Sequence, residues 1–227
     1  MIIGNGLIAT AFKKSNENYD NVVIFASGVS NSKETTQSCF DREEKLITDT
    51  LNENKNLKFI YFSSVLAGTF NNEYYNNKIK FENLIKSQCS DYMIIRAPQI
   101  IGENGNKNNI VNTFKNLLIK NEKITVFTNI KRALLDVNDL VNIVNYCKDK
   151  VCCETINISY IEKISVLDLV KKISIALNKI PNIHLSHETE KNNWDIENSE
   201  IVNECINNIG IIKNGYTDNI IKKYINN

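Results

Sequence analysis

The chain carries no surplus of charge: 27 lysines and arginines face 26 acidic residues over 227 positions, a net charge of +1. Bulk attraction to nucleic acid or to an anionic membrane is therefore not expected. The two histidines, His184 and His187, have no acidic or cysteine partner at ligand spacing, so a zinc site there is not expected. Cys39, Cys89, Cys147, Cys152, Cys153 and Cys205 form no C-x-x-C pair and keep no regular spacing. No apolar run reads as an export segment or a membrane span. Together these absences point to a reduced, cytoplasmic protein with no metal. For the adjacent Cys152 and Cys153 a redox or metal feature is the alternative, but they stand at the start of an apolar run and are expected to be small core residues.

Neither a repeat nor a low-complexity linker divides the chain, and its length suffices for a real core with a small second lobe. Strand patterns at residues 1–3, 21–26, 57–63 and 92–96 alternate with helical patterns that end near 14, span 41–54 and lie around 78–87. That alternation predicts an α/β fold, a Rossmann-like doubly wound parallel sheet with ligands at the carboxyl ends of its strands. Beyond Pro98, helices are expected at 110–120, 139–148 and 166–178, and strands at 124–127 and 155–158. The expected division is a core of residues 1–100 with returning segments at about 133–160, and a substrate lobe of 101–132 and 161–227. The last stretch carries Trp194 and a terminal helix.

Two patterns carry chemistry. Gly4-x-Gly6-x-x-Ala9 follows a strand and opens a helix, the setting in which glycines admit a pyrophosphate to a helix N-terminus. The acid expected about 20 residues on, to hold an adenosine ribose, is missing: the next strand ends in Phe25-Ala26-Ser27-Gly28, and Asp20 lies at its other end. Further on, Tyr74 and Lys78 are spaced to share one helix face, just after Ser63-Ser64 at a strand end. A cation within about 4 to 6 Å lowers the pKa of a phenol by roughly 1 to 3 units. Lys78 is therefore expected to make Tyr74 acidic, with a serine hydroxyl holding the same substrate oxygen. Taken alone, Tyr-x-x-x-Lys arises often by chance.

In order along the chain, these segments resemble the extended short-chain dehydrogenase/reductase superfamily, in its branch of NAD-dependent nucleotide-sugar epimerases, dehydratases and reductases. Val22 to Gly28 is similar to a cofactor-contacting strand and turn, and Phe59 to Ser64 to the strand bearing the catalytic Ser or Thr. Arg96-Ala-Pro98-Gln99-Ile-Ile-Gly102 resembles the family's Arg-x-Pro-Asn-x-x-Gly, and Arg132 to Leu140 resembles the stretch whose arginine binds a sugar nucleotide's diphosphate. The resemblance implies Ser64, Tyr74 and Lys78 as the catalytic triad. It implies a cofactor, NAD or NADP, against Gly4, Asn5, Gly6, Leu7, Ile8, Ala26, Ser27, Gly28, Tyr74, Lys78 and Pro98, and a nucleotide-sugar substrate against Ser64, Gln99 and Arg132. A homodimer through the Tyr-x-x-x-Lys helix is a further implication.

The departures are as informative. Only about 18 residues separate Gly4 from Val22, so two usual strands are expected to be missing and the adenosine pocket reduced. Val65 and Leu66 follow Ser64 where the family's dehydratases carry an Asp-Glu pair, which disfavours elimination of water. Keto-sugar reduction is the expected chemistry, with an epimerase holding NAD tightly as one alternative. A non-catalytic dinucleotide or sugar-nucleotide binding protein is the other.

Overall fold

The computed structural model describes residues 1–103, 105, 107, 109–187 and 196–225, which leaves Trp194 outside the described residues. Five parallel strands form the central sheet in the order β1 (Ile2–Ile3), β2 (Val22–Phe25), β3 (Lys58–Ser64), β4 (Tyr92–Ala97) and β8 (Glu154–Asn157). Three helices link the first four: α1 (Leu7–Lys14), α2 (Gln37–Glu53) and α3 (Glu73–Gln88). Side-chain alternation with period two divides the sheet between two cores. Val22, Ile24, Ile60, Phe62, Met93 and Ile95 point to one face, where Phe12 of α1 packs with α5 (Val137–Cys147). Val23, Phe25, Phe59, Tyr61 and Ile94 point to the other, under α2 and α3. The strands accordingly read as continuous apolar runs, as expected of a parallel sheet covered on both sides.

One consequence is topological. The units β1–α1–β2 and β2–α2–β3 step across the sheet in the same direction, yet their helices lie on opposite faces, so the two crossovers have opposite hand. Right-handed crossovers make up about 98% of such units, and α2 and α3 share that hand. The crossover through α1 is therefore left-handed. In the doubly wound strand order 3-2-1-4, removing strands 2 and 3 leaves this arrangement: the first helix keeps its face while the next strand lies on the other side. The expected loss of two strands fits, and β1 becomes the edge of the sheet.

Beyond β4 the chain builds two small sheets. β5 (Gln99–Ile101) pairs in parallel with β7 (Lys131–Asp136), which pairs antiparallel with β9 (Lys163–Ser165). β6 (Ile124–Phe127) pairs in parallel with β10 (Ile183–Ser186), which carries His184. Around them lie α4 (Ile110–Ile119), α6 (Val166–Ala176), α7 (Glu200–Asn208) and α8 (Tyr216–Ile225), all sharing the core under α5. Ordinary side-chain caps start several helices: Asn72 for α3, Asn109 for α4, Asp136 for α5 and Ser165 for α6. Among the described residues no helix is long and apolar enough to cross a membrane.

Cys152 and Cys153 are not core residues. Both are exposed: with Glu154 they form a solvent-facing turn into β8, between the buried side chains of Val151 and Ile156.

Candidate active site

The glycine loop leaves β1 and turns into α1. Gly4 holds φ +120°, and a methyl group there would lie 2.3 Å from the Ala26 carbonyl oxygen at the end of β2, so this position admits only glycine. Gly6 is the N-cap of α1, bears no side-chain cap, and has nothing within 4 Å of where a β-carbon would stand. First-turn N–H groups left uncapped by a side chain among the described residues, above open space, are what a phosphate group needs. Asn5 Oδ1 accepts from Lys13 Nζ at 3.2 Å, and Lys13 also donates to the Gly4 carbonyl at 2.7 Å. Leu7 is the backing: Gly102 and Gly105 rest on its side chain so closely that a methyl group at either would meet it, at 2.7 and 3.2 Å respectively. Among the described residues no strand stands on the free side of β1, so the adenosine half of a dinucleotide would meet a short wall.

From Gly4 the site continues through Ala26 and Ser27 to Gly28, where space is again the constraint. A methyl group at Gly28 would lie 2.7 Å from Glu43 Oε1 and 2.9 Å from Lys78 Nζ. Helix α3 brings Lys78 here and begins at Glu73, earlier than its apolar spacing implied, which puts Tyr74 in the first turn. Tyr74 and Lys78 do share a face, as expected from their spacing, but the ammonium does not reach the phenol oxygen. It sits 5.6 Å from the centroid of the Tyr74 ring and donates instead to Glu43 Oε1 at 2.9 Å and to Tyr61 Oη at 3.0 Å. Tyr61 in turn donates to Glu43 Oε1 at 2.9 Å, and the Val29 N–H donates to Glu43 Oε2 at 2.7 Å. Glu43 is 1% exposed and Lys78 4%, so this is a buried ion pair with its lone pairs used.

The expected acidification of Tyr74 is reversed. Burial raises its pKa above the ordinary phenol value, attraction to Lys78 offsets only part of this, and Glu43 adds to the rise. The cation that should have favoured a phenolate is largely neutralised by its own carboxylate. Burial pulls the Lys78 pKa down, but attraction to Tyr61, Glu43 and Tyr74 more than reverses it, so the lysine stays charged. Tyr74 forms no hydrogen bond among the described residues and packs edge-on against Tyr75, with ring centroids 5.1 Å apart. Tyr75 is pushed up to about 12 by burial and by Tyr74, and is drawn the other way by Arg132. Arg132, on β7, therefore lies within electrostatic range of the start of α3.

Ser64 closes β3 with its Oγ accepting from the Leu66 N–H at 3.2 Å, and it is not bonded to Tyr74. Its neighbour Ser63 is structural: it donates to Glu82 Oε1 at 2.6 Å, and Arg96 grips the same buried carboxylate through Nε at 2.9 Å and Nη2 at 2.7 Å. Glu82 lies one turn beyond Lys78, so α3 is fastened to β3 and β4 by two carboxylate clusters along one face. Gln99 uses its side-chain oxygen locally, accepting from the Ile110 N–H at 3.3 Å at the start of α4. Pro98 links β4 to β5 at the same sheet end.

Two members of this site were missed in the sequence, Glu43 and Tyr61. A signal existed for the first: Phe40, Glu43, Ile47, Thr50 and Leu51 recur at helical spacing on the buried face of α2, and an acid in such a stripe needs a partner. Tyr61 gave none, standing in an apolar strand like any aromatic.

No protein-family model matches the chain, and neither does any curated protein sequence. Solved structures do. RMD from Pseudomonas aeruginosa, complexed with NADPH, matches at 12% identity with TM-score 0.72, over 98% of this chain and 97% of that one. UDP-glucuronic acid 4-epimerase from Bacillus cereus, in complex with UDP-glucuronic acid and NAD, matches at 13% identity with TM-score 0.70, over 90% and 74%. dTDP-glucose 4,6-dehydratase from Bacillus anthracis, in complex with NAD, matches at 12% identity with TM-score 0.68, over 90% and 71%. The chain has the fold of the nucleotide-sugar epimerases and dehydratases. The Rossmann-like parallel sheet expected from the alternation of strands and helices is that fold.

Proposed function

We propose that the chain is an NAD(P)-dependent oxidoreductase of a nucleotide-linked sugar, acting in the cytoplasm as a keto-sugar reductase. What carries the reading is one line of contacts along the carboxyl edge of the sheet, from Gly4 through Ala26 to Gly28, Lys78 and Tyr74. Gly4, Asn5, Gly6, Leu7 and Ile8 would hold the pyrophosphate at the start of α1, with Ala26, Ser27, Gly28 and Pro98 beside the rest of the dinucleotide. The bound cofactor supplies the hydride. Ser64 would orient the sugar oxygen, and Arg132 with Gln99 would meet the diphosphate, for which a guanidinium fork is well suited. Tyr74 would give its proton to the ketone oxygen. A phenol whose pKa is raised by burial is protonated throughout the neutral range, which suits reduction better than abstraction of a proton from an alcohol. The open edge at β1 likewise suits a cofactor exchanged at each turnover rather than one held through an epimerisation cycle.

One observation favours a second reading, a non-catalytic binding protein: the Lys78 ammonium is committed to Glu43 and Tyr61. The two readings separate in one series. Calorimetric titration with NADH and NADPH tests binding, and a panel of nucleotide-linked keto-sugars then tests oxidation of whichever cofactor binds. The first reading expects turnover that falls by roughly 10²- to 10⁴-fold in Tyr74→Phe. Turnover unchanged in that variant would remove Tyr74 from the chemistry, and tight binding without turnover of any of the panel would favour the second reading.

A further inference from the structure

At the opposite end of the sheet, the amino ends of β4 and β8 bring three metal-ligating side chains together. Asp91 directly precedes β4, and Cys152 and Cys153 directly precede β8. The parallel register pairs Met93 with Glu154, so Asp91 and Cys152 stand at the same level on neighbouring strands. The proximity thus follows from the sheet and not from a side-chain rotamer alone. One ligand atom from each of the three lies within 4.8 Å of the others. The two sulfurs are 3.7 Å apart, and two thiolates bound at about 2.3 Å to one tetrahedral zinc ion are separated by about 3.8 Å. Cys153 holds φ +54°, a region uncommon for a residue with a β-carbon, and this turns the second thiol beside the first. Asp91 Oδ1 is buried and accepts no hydrogen bond among the described residues, with the Lys58 ammonium 3.2 Å away.

We propose that Asp91, Cys152 and Cys153 form a zinc site that clips the amino ends of β4 and β8. Two thiolates and one carboxylate match the borderline-soft preference of Zn²⁺ and leave a fourth position for water. The charges close: three negative ligands are balanced by the dication together with Lys58, whose ammonium is already fixed to the Val151 carbonyl at 2.5 Å. Both cysteines are exposed, so the ion has a direct path from solvent. On binding, both thiols give up their protons, Cys153 the one it now shares with the Ser90 carbonyl at 3.1 Å. The site is remote from the glycine loop and Tyr74, and its effect is on stability: an ion that binds only the folded chain raises its melting temperature.

The test uses the full chain, kept reduced with a phosphine and freed of metal. Titration with Co²⁺ is expected to give one equivalent of thiolate-to-cobalt charge-transfer absorption, displaced by Zn²⁺, and Zn²⁺ should raise the melting temperature until a chelator is added. Cys152→Ser/Cys153→Ser should lose the absorption and the thermal shift, with zinc affinity reduced on the order of a hundredfold or more, and Asp91→Asn should weaken binding. Cys39→Ser, at the start of α2 and at the other end of the sheet, should leave both unchanged. Absence of the absorption in the wild-type chain, or its persistence in the double variant, overturns the proposal. Circular dichroism of the serine variant guards the comparison, and since both cysteines are exposed its spectrum should match the wild type.

Discussion

Lys78 Nζ lies 2.9 Å from Glu43 Oε1, and both side chains are almost wholly buried. This pair joins α3 to α2 beneath the candidate active site and decides where the lysine's charge is spent. Removing one partner leaves a buried charge without compensation, which typically costs about 3 to 5 kcal/mol. Glu43→Ala should therefore destabilise the chain by about that amount in urea unfolding. The double variant Glu43→Leu/Lys78→Met should recover much of the loss, because no lone charge remains. A double variant as unstable as the sum of the single changes would show that the pair is not coupled.

Gly28 is the spacer that lets the pair close. A β-carbon there would come within 2.7 Å of Glu43 Oε1 and 2.9 Å of Lys78 Nζ, and neither group can move without leaving its buried partners. Gly28→Ala is expected to cost roughly 1 to 3 kcal/mol, the usual range for overpacking. Gly6→Ala, with open space around it, should cost little in stability while weakening dinucleotide binding. Thermal melts and cofactor titrations of both variants check this contrast.

The pH dependence follows from the same cluster. In the folded chain burial raises the Tyr61 pKa well above its ordinary value, and the Lys78 pKa is raised as well by its partners. The unfolded values are about 10 for tyrosine and 10.4 for lysine. A group whose folded pKa is the higher contributes stability below the unfolded value and loses it as pH rises further. Urea midpoints should thus be insensitive to these groups between about pH 7 and 9 and should fall above about pH 10. In Tyr61→Phe the alkaline fall should be shallower, and an identical slope would mean that Tyr61 does not contribute.

Much of the site was legible before any tertiary information. The glycine loop reads from Gly4, Gly6 and Ala9 because a strand, a tight turn and a helix start impose their own residues locally. The spacing of Tyr74 and Lys78 reads as one helix face for the same reason, and β6 was placed at its observed bounds, Ile124–Phe127. No local pattern marks Lys131–Asp136 as a strand, since its pairing with β5 and β9 involves partners distant in the chain. For Tyr74 the spacing alone implies a lowered pKa, whereas the folded chain raises it. Sequence spacing gives the distance to Lys78 along α3, but not the burial that does most to raise the phenol's pKa, nor Glu43, which arrives from another helix and adds to the rise.

The sequence by itself determined the alternation of strands and helices as far as β4, the loss of two strands and the residue types at the carboxyl edge of the sheet, all of which depend on local periodicity and turn geometry. Only the tertiary structure decided what each charge faces: that Lys78 answers to Glu43, that Arg96 and Ser63 answer to Glu82, and that Cys152 and Cys153 stand exposed beside Asp91. Those pairings join different elements, 14 residues apart for Arg96 and Glu82 and 35 for Lys78 and Glu43, and electrostatic interaction depends on distance and burial in space, which no local pattern encodes.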